Sequence, residues 1–563
     1  MPELPPSVAV PSRQPTKIDV WLLGITIVIG GQYSGWNMGL MFGLEGFTAG
    51  FAAVTVAYVC FTCSVAEING ALPFAGGSYG VARCTLGYYP GFLLGCCEAL
   101  GYIAASATAV ISFANLMVQM APLIQGYDLV IYLAIYASVV LVLIHGGAVF
   151  WLTNRIIGLF SLGFLVLYSI GSLAFTSHST LEEAFSTASG PSQPSSNSSE
   201  GVIQSLPYVA WFYAGIECVN LASSEVSAPK QLIPKAQVAC IVTLFVIGMF
   251  VAIVTIALPF AGGPAALALE LAPLNTGFQA MCATESTYVT AFSLPATYGI
   301  VFGTTWAAGR MIHSMADSRL LPSLLARTMS SRGTPHCAVF FCALVSFATA
   351  WNVRTNDNVT SDIFMLCLLA SFMSYTGQCV GYVSLRVLYP APSDSAFKSP
   401  FGVPGALLSM LIWLLGILSI LAFQPRNGAI FGELCLTLAA LSAFYVSYAR
   451  KRQRLSIAER NVLMVAHVLK LNGRRRHTRR PPTTRVLRKQ SPVIAGPLDA
   501  EKPTELGHNN ASIEDDAAAF YPFRKQSSRV QPGQRSSTAL TAAPSAITAA
   551  FVTMPSQSHH VDH

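Results

Sequence analysis

Two carboxylates, Glu98 and Glu217, stand within apolar runs long enough to cross a bilayer. A charge there is costly and marks a functional site by default. Glu217 directly follows Gly215-Ile216, which interrupts the segment Pro207 to Lys235 halfway along. A second apolar span is interrupted by Gly30-Gly31-Gln32-Tyr33-Ser34-Gly35, between Val20 to Ile29 and Trp36 to Phe42. Breaking a helix in lipid frees backbone N–H and C=O groups that hydrocarbon cannot satisfy, so a break persists where it lines a cavity or holds a ligand. The carbonyl ends of half-helices favour cations. A small amine is therefore expected near the carbonyls of Gly30, Gly31 and Gly215, with Glu98 or Glu217 supplying charge. Tyr33, Trp36, Trp211, Phe212 or Tyr102 would add cation–π contact. The plainer alternative is that these glycines only let helices pack closely. Two broken helices at corresponding places in two halves of a chain point to the binding site of a secondary transporter.

These residues need a membrane scaffold to hold them. Hydrophobic residues are 53% of the 563 and charged residues 10%, which places the chain among polytopic membrane proteins. Twelve apolar runs are expected as spans: 18–44, 49–70, 90–119, 128–147, 152–175, 204–225, 236–258, 287–312, 337–352, 361–386, 404–423 and 428–449. Of the 14 Lys and Arg before residue 450, all but Arg354 and Arg426 fall on one side if the amino terminus is cytoplasmic. The same orientation puts outside the acidic loop residues and the sequons at Asn197 and Asn358, which are candidate glycosylation sites. A plasma-membrane protein with both termini cytoplasmic is expected. Glu67 and Glu225 lie near inner helix ends as gate or ion-pair residues, with Arg83, Lys230 and Arg310 as candidate partners. Gly76-Gly77 suits a tight turn.

Glu98 and Glu217 also suggest a proton as coupling ion. The rival is sodium, with hydroxyls of Thr297, Thr304 and Thr305 as ligands to a hard cation, unless they bond back to their own helix. No phosphate-binding loop, HExxH, nucleophile elbow or Cys/His metal spacing occurs, which argues against a pump or an enzyme, and no cofactor or metal is expected. The 13 cysteines lie mostly within spans, and Cys60-Phe61-Thr62-Cys63 is expected to pack rather than to do redox chemistry.

The domains are expected as a cytoplasmic segment 1–17, a transmembrane domain 18–450 and a basic tail 451–563. Residues 1–449 carry 14 basic and 18 acidic groups, a net −4, whereas 450–563 carry 19 and 8, a net +11. The tail is thus expected to meet anionic lipid of the inner leaflet, not nucleic acid. Ser456 with Glu459 makes a capping box and Asn472-Gly473 a stop, predicting a helix over 456–471 that lies on the leaflet or docks on the protein's own inner surface. Beyond residue 473 the composition predicts disorder. There Arg488-Lys489-Gln490-Ser491 and Arg524-Lys525-Gln526-Ser527 offer sites to a basophilic kinase, whose phosphates would weaken lipid attachment.

Four segments resemble the amino acid, polyamine and organocation transporter superfamily. They are Glu67 to Tyr79 (EINGALPFAGGSY), Gly215-Ile216-Glu217 followed by Glu225, Pro229, Lys230 and Pro234, Gly309-Arg310 with Leu321-Pro322, and the glycine-broken first span. Gly35-Trp36-Asn37-Met38-Gly39-Leu40 is most similar to the ethanolamine permease branch. Met315-Ala316-Asp317-Ser318-Arg319 departs from the family's M-A-R-D-G, and Cys97 to Tyr102 keeps only part of the acidic pattern of that branch. The resemblance implies an all-α fold in which ten of about twelve helices form a five-plus-five inverted repeat (LeuT-like), with helices 1 and 6 discontinuous. It also implies a permease for a small organic amine such as ethanolamine. A neutral or cationic amino acid is the alternative substrate, and a receptor that binds without transporting is the alternative class.

Overall fold

In the computed structural model, Thr16 starts the first helix with a capping box: its N–H donates to Asp19 Oδ2 at 2.8 Å, and its Oγ1 accepts from the Asp19 N–H at 3.4 Å. The structure describes residues 14–74, 76–177, 198–261, 263–329, 333–354, 356–388, 397–456 and 459–460. Contacts divide the chain into two units, Met1–Thr483 and Thr484–His563, and every described residue belongs to the first. Asn197, most of the predicted helix 456–471, and the serines Ser491 and Ser527 lie outside the described residues.

The helices in order are α1 Lys17–Val28, α2 Gly30–Tyr33, α3 Leu44–Ala71, α4 Ser78–Thr85, α5 Tyr88–Met120, α6 Asp128–His145 and α7 Gly147–Gly171. The longer helices that follow are α8 Ser198–Ala210, α9 Pro229–Ala257, α10 Leu294–Asp317, α11 His336–Val353, α12 Asp357–Leu388, α13 Gly402–Leu418 and α14 Asn427–Phe444, with short helices at Gly263–Leu267, Asn275–Cys282 and Ser286–Val289 between α9 and α10. Among the described residues nine helices are long and apolar enough to cross a membrane: α3, α5, α6, α7, α9, α11, α12, α13 and α14. Each coincides with a predicted span. The other three predicted spans take different forms. The first and sixth are broken into short pieces, and the eighth is α10, 24 residues long but too polar to count with the nine.

Burial separates the inner helices from the lipid-facing ones. The most apolar window of α5 is 78% buried within the protein, whereas that of α14 is 11% buried, and α14 turns Phe431 and Leu436 outward. Apolar side chains facing outward are what lipid permits and water would not. Around α5 stand α10, α12, α4 and α11, and α3 packs on α8, α9 and α13. The two broken spans lie against this inner group, α1 contacting α7, α9 and α10. All 13 cysteines are free. Cys60 and Cys63 are buried on α3.

Candidate functional site

The first break is sharper than its glycines suggest. Helical geometry runs on through α2, and the chain turns at extended Ser34 (φ −160°) and Gly35 (φ 89°) before a 3₁₀ helix at Trp36–Phe42. In the sixth span α8 ends at Ala210, a turn covers 211–215, and Gly215 (φ 97°) leads into a 3₁₀ helix at Ile216–Ser224. Such φ values favour glycine. Beyond the turn, the N–H of Gly215 donates not to its own helix but to the Tyr375 hydroxyl at 3.2 Å.

The breaks meet. A Cβ on Gly31 would overlap the carbonyl oxygen of Trp211, and one on Gly215 would sit 3.0 Å from Ile27. Between them lies a cavity with about 20 Å³ of space open to the centre of a water-sized sphere, room for about one water molecule. Ile27, Val28 and Gly31 line one side, Trp211, Ala214 and Gly215 another, and Tyr102, Ile300, Thr304, Cys367 and Ser371 close it. The wall is mostly apolar, with the Tyr102 ring and the Trp211 indole as its aromatic surfaces.

Behind Tyr102 lie both membrane carboxylates. Its hydroxyl is 2.6 Å from Glu98 Oε1 and 3.0 Å from Glu217 Oε1, and each glutamate is 2% exposed. Glu98 stands one helical turn before Tyr102 on α5, and Glu217 reaches it from the sixth span. Glu98 Oε2 accepts from Ser78 Oγ and, at 2.8 Å, from Ser374 Oγ. Glu217 Oε2 has no partner among the described residues.

One phenolic hydrogen cannot serve two ionised carboxylates in full. With one proton on Glu98 Oε1 or on Glu217 Oε1, that carboxyl donates to the phenol oxygen while the phenol donates to the other. The two arrangements differ by the positions of two protons along Glu98–Tyr102–Glu217, a geometry in which a proton can pass from one helix to the other through the phenol.

The other predicted residues have different places. Gly30 packs against Ile300. Gln32 donates to the Leu244 carbonyl at 2.8 Å, and Tyr33 to that of Ser161 at 2.6 Å, both away from the cavity. Ser34 forms the extended turn. Trp36 packs between Phe47 and Phe212, its Nε1 donating to the Gln32 carbonyl at 3.2 Å. Ile216 is buried at the start of its 3₁₀ helix. Thr297 and Thr304 bond back to Ser293 and Ile300 carbonyls at 3.0 and 2.6 Å, and Thr305 meets Ser106 at 3.1 Å. Glu225 pairs with Arg310, which also donates to Ser224 at 3.0 Å. Glu67 pairs with Arg386 at 2.9 Å and accepts from Tyr382 and the Ser399 N–H. Asn358 is exposed.

Several contributors escaped the sequence reading. Ser371, Ser374 and Tyr375 form a polar cluster within an otherwise apolar span, which was the available signal. Ser78 belongs to the quoted Gly-Gly-Ser-Tyr run. Asn37, which belongs to the quoted Gly-Trp-Asn run, ties the second half of the first span to the carbonyls of Leu267 and Glu270, each at 2.9 Å.

Residues 24–453 match the amino acid permease family model. Over 382 residues the chain is 25% identical to an uncharacterized transporter of Rhizobium meliloti, covering 66% of this chain and 78% of that one. It is 23% identical to the methylthioribose transporter of Bacillus subtilis, over 79% of this chain and 95% of that protein. With the L-asparagine permease of Escherichia coli it shares 28% identity over 41% of this chain and 45% of the other.

Proposed function

Because this chain belongs to the amino acid permease family, and so is a multi-pass membrane transporter and not an enzyme, we propose that it imports a small organic amine such as ethanolamine by proton-coupled alternating access. The observation that carries this reading is the buried relay Glu98–Tyr102–Glu217, whose middle member also lines the cavity between the two broken spans. A substrate ammonium seated against Tyr102 and Trp211 would gain cation–π attraction and lie beside the carboxyl pair that loads and releases the proton. Uptake would then rise as the outside becomes more acidic than the inside. Thr297 and Thr304 donate to carbonyls of their own helix, which leaves their oxygen lone pairs available, so sodium stays the rival that the uptake assay below separates from the proton.

The proposed fold is a five-plus-five inverted repeat in the plasma membrane with both termini cytoplasmic, Asn197 and Asn358 outside as glycosylation sites, and the Glu67 and Glu225 ion pairs on the inner face. The space open at this site has room for about one water, so seating a substrate there would require the helices around it to part. A second reading, a neutral or cationic amino acid permease, is favoured by the family itself and by the L-asparagine permease among the relatives.

Purified protein in liposomes, given labelled ethanolamine, alanine or arginine, tests both. The expected result is ethanolamine accumulation driven by an inward proton gradient and indifferent to sodium. Alanine or arginine accumulating in its place would move the assignment to the second reading. Sodium-dependent uptake that ignores the pH gradient would remove the proton relay. Binding with no accumulation under any gradient would instead indicate a receptor.

A further inference from the structure

The described start of the tail, residues 453–456 and 459–460, is held by an acid, although the surrounding tail is basic. Glu459 is 2% exposed. Its Oε1 accepts from Arg83 at 2.6 Å, and its Oε2 accepts from the Ser318 hydroxyl at 2.7 Å and the Ser456 N–H at 2.8 Å. The Glu459 N–H returns a bond to Ser456 Oγ at 3.2 Å, completing the capping box. Next to it the Arg454 N–H donates to the Ser318 carbonyl at 2.9 Å, and the Arg83 guanidinium lies 3.4 Å from the Arg454 carbonyl. Arg450, Lys451, Arg452 and Arg454 are exposed. Exposed pairs contribute little, whereas removing one partner of a buried, hydrogen-bonded pair leaves a stranded charge. Among the described residues, the start of the tail is therefore docked through Glu459 and not through the exposed cations beside it.

What Glu459 joins gives the contact its meaning. Arg83 lies on α4 and Ser318 just beyond the end of α10, so one carboxylate staples the two elements together. Tyr79 of α4 strengthens the staple, its hydroxyl donating to the Ser314 carbonyl at 3.0 Å and lying 3.1 Å from Ser318 Oγ. At the other end of α4, Ser78 bonds Glu98 of the carboxyl pair. Arg83 lies five residue steps along the helix from Ser78, ~7.5 Å along the axis at 1.5 Å per residue. A single short helix thus touches the tail at one end and the relay at the other, while α10 contributes Thr304 to the cavity. On the alternating-access reading, opening of this face requires α4 to part from the end of α10.

We propose that Glu459 is an autoinhibitory latch: with the tail engaged it holds α4 against α10 and slows turnover, and release of the tail speeds it. The proposal rests on the transporter reading above. The test compares the full-length protein with Glu459→Gln in two assays. Tryptic cleavage after Arg454 in detergent reports tail release, and initial uptake of labelled ethanolamine in liposomes reports turnover. The variant is expected to be cut faster and to turn over about fivefold faster or more, within the usual range of coupling between two sites. Unchanged cleavage, or faster cleavage with unchanged or lower uptake, would overturn the latch. If Glu459→Gln is not monodisperse, Ser318→Ala removes one of the donors and is judged by the same outcomes. Failure of the wild-type protein to accumulate any amine or amino acid would count against the transporter reading, whereas a transporting wild type with an unresponsive variant would count against the latch alone.

Discussion

Tyr102→Phe removes a single oxygen atom and leaves the aromatic wall of the cavity in place. That oxygen makes the 2.6 and 3.0 Å contacts to Glu98 and Glu217. Hydrogen bonds to charged groups contribute about 1.5–3 kcal/mol each. Losing about 2 kcal/mol at the step that moves a proton between the carboxyls slows it about 30-fold, at 1.36 kcal/mol per tenfold. The assay measures initial uptake in liposomes under an imposed pH gradient and, separately, counterflow exchange of labelled for unlabelled substrate at equal pH. Gradient-driven uptake requires net proton movement and is expected to fall about 30-fold, while counterflow, which cycles without net proton transfer, keeps most of its rate. Equal losses in both would make the hydroxyl a binding or packing group. No loss in either would refute the relay.

Glu217→Gln keeps size and hydrogen-bonding capacity but removes charge and proton exchange, so uptake is expected to vanish or fall strongly with surface abundance unchanged; normal uptake would shift the coupling role to Glu98. Gly31→Ala drives a methyl into the Trp211 carbonyl and is expected to cost about 1–3 kcal/mol by overpacking, read as a lowered melting temperature together with lost uptake. Gly163→Ala is the control, because nothing lies within 4 Å of its Cβ position on α7, and it is expected to stabilise by up to about 1 kcal/mol through helix propensity.

The spans and the two breaks were legible because the bilayer imposes simple conditions. About 20 apolar residues cross it, and an interrupted helix needs something to satisfy its backbone. Glu98 and Glu217 were visible as carboxylates out of place, but they were read as alternatives, one or the other supplying charge. Their union through Tyr102 depends on how α5 is rotated against the sixth span. Helices surrounded by apolar neighbours carry little periodic contrast from which to read that rotation. Ion pairs were half legible for a related reason. Of the three candidate partners offered for Glu67 and Glu225, Arg310 pairs with Glu225, whereas Glu67 takes Arg386, 319 positions away, and Arg83, which looked available, is committed to Glu459. Tail composition points towards lipid because composition averages over charge, whereas the start of the predicted helix 456–471 meets the protein itself through a single buried acid, Glu459, with the expected cap geometry, which was one of the two alternatives for that helix.

In the proposed cycle these pieces act through one another. Ser78 and Ser374 both donate to Glu98 Oε2, and bonds to an ionised carboxylate are about twice as strong as neutral ones. Whenever the relay places its proton on Glu98, the grip of Ser78 on that residue weakens. Ser78 opens α4, and α4 is the element whose far end the tail holds through Arg83. Proton arrival would therefore loosen the inner face from the site outward, and tail release would loosen it from the surface inward. The two effects converge on an eight-residue helix, Ser78–Thr85, too short to cross the bilayer, which packs on α5 with Ser78, Tyr79, Gly80, Ala82 and Arg83 buried and so links the site at one end to the tail at the other.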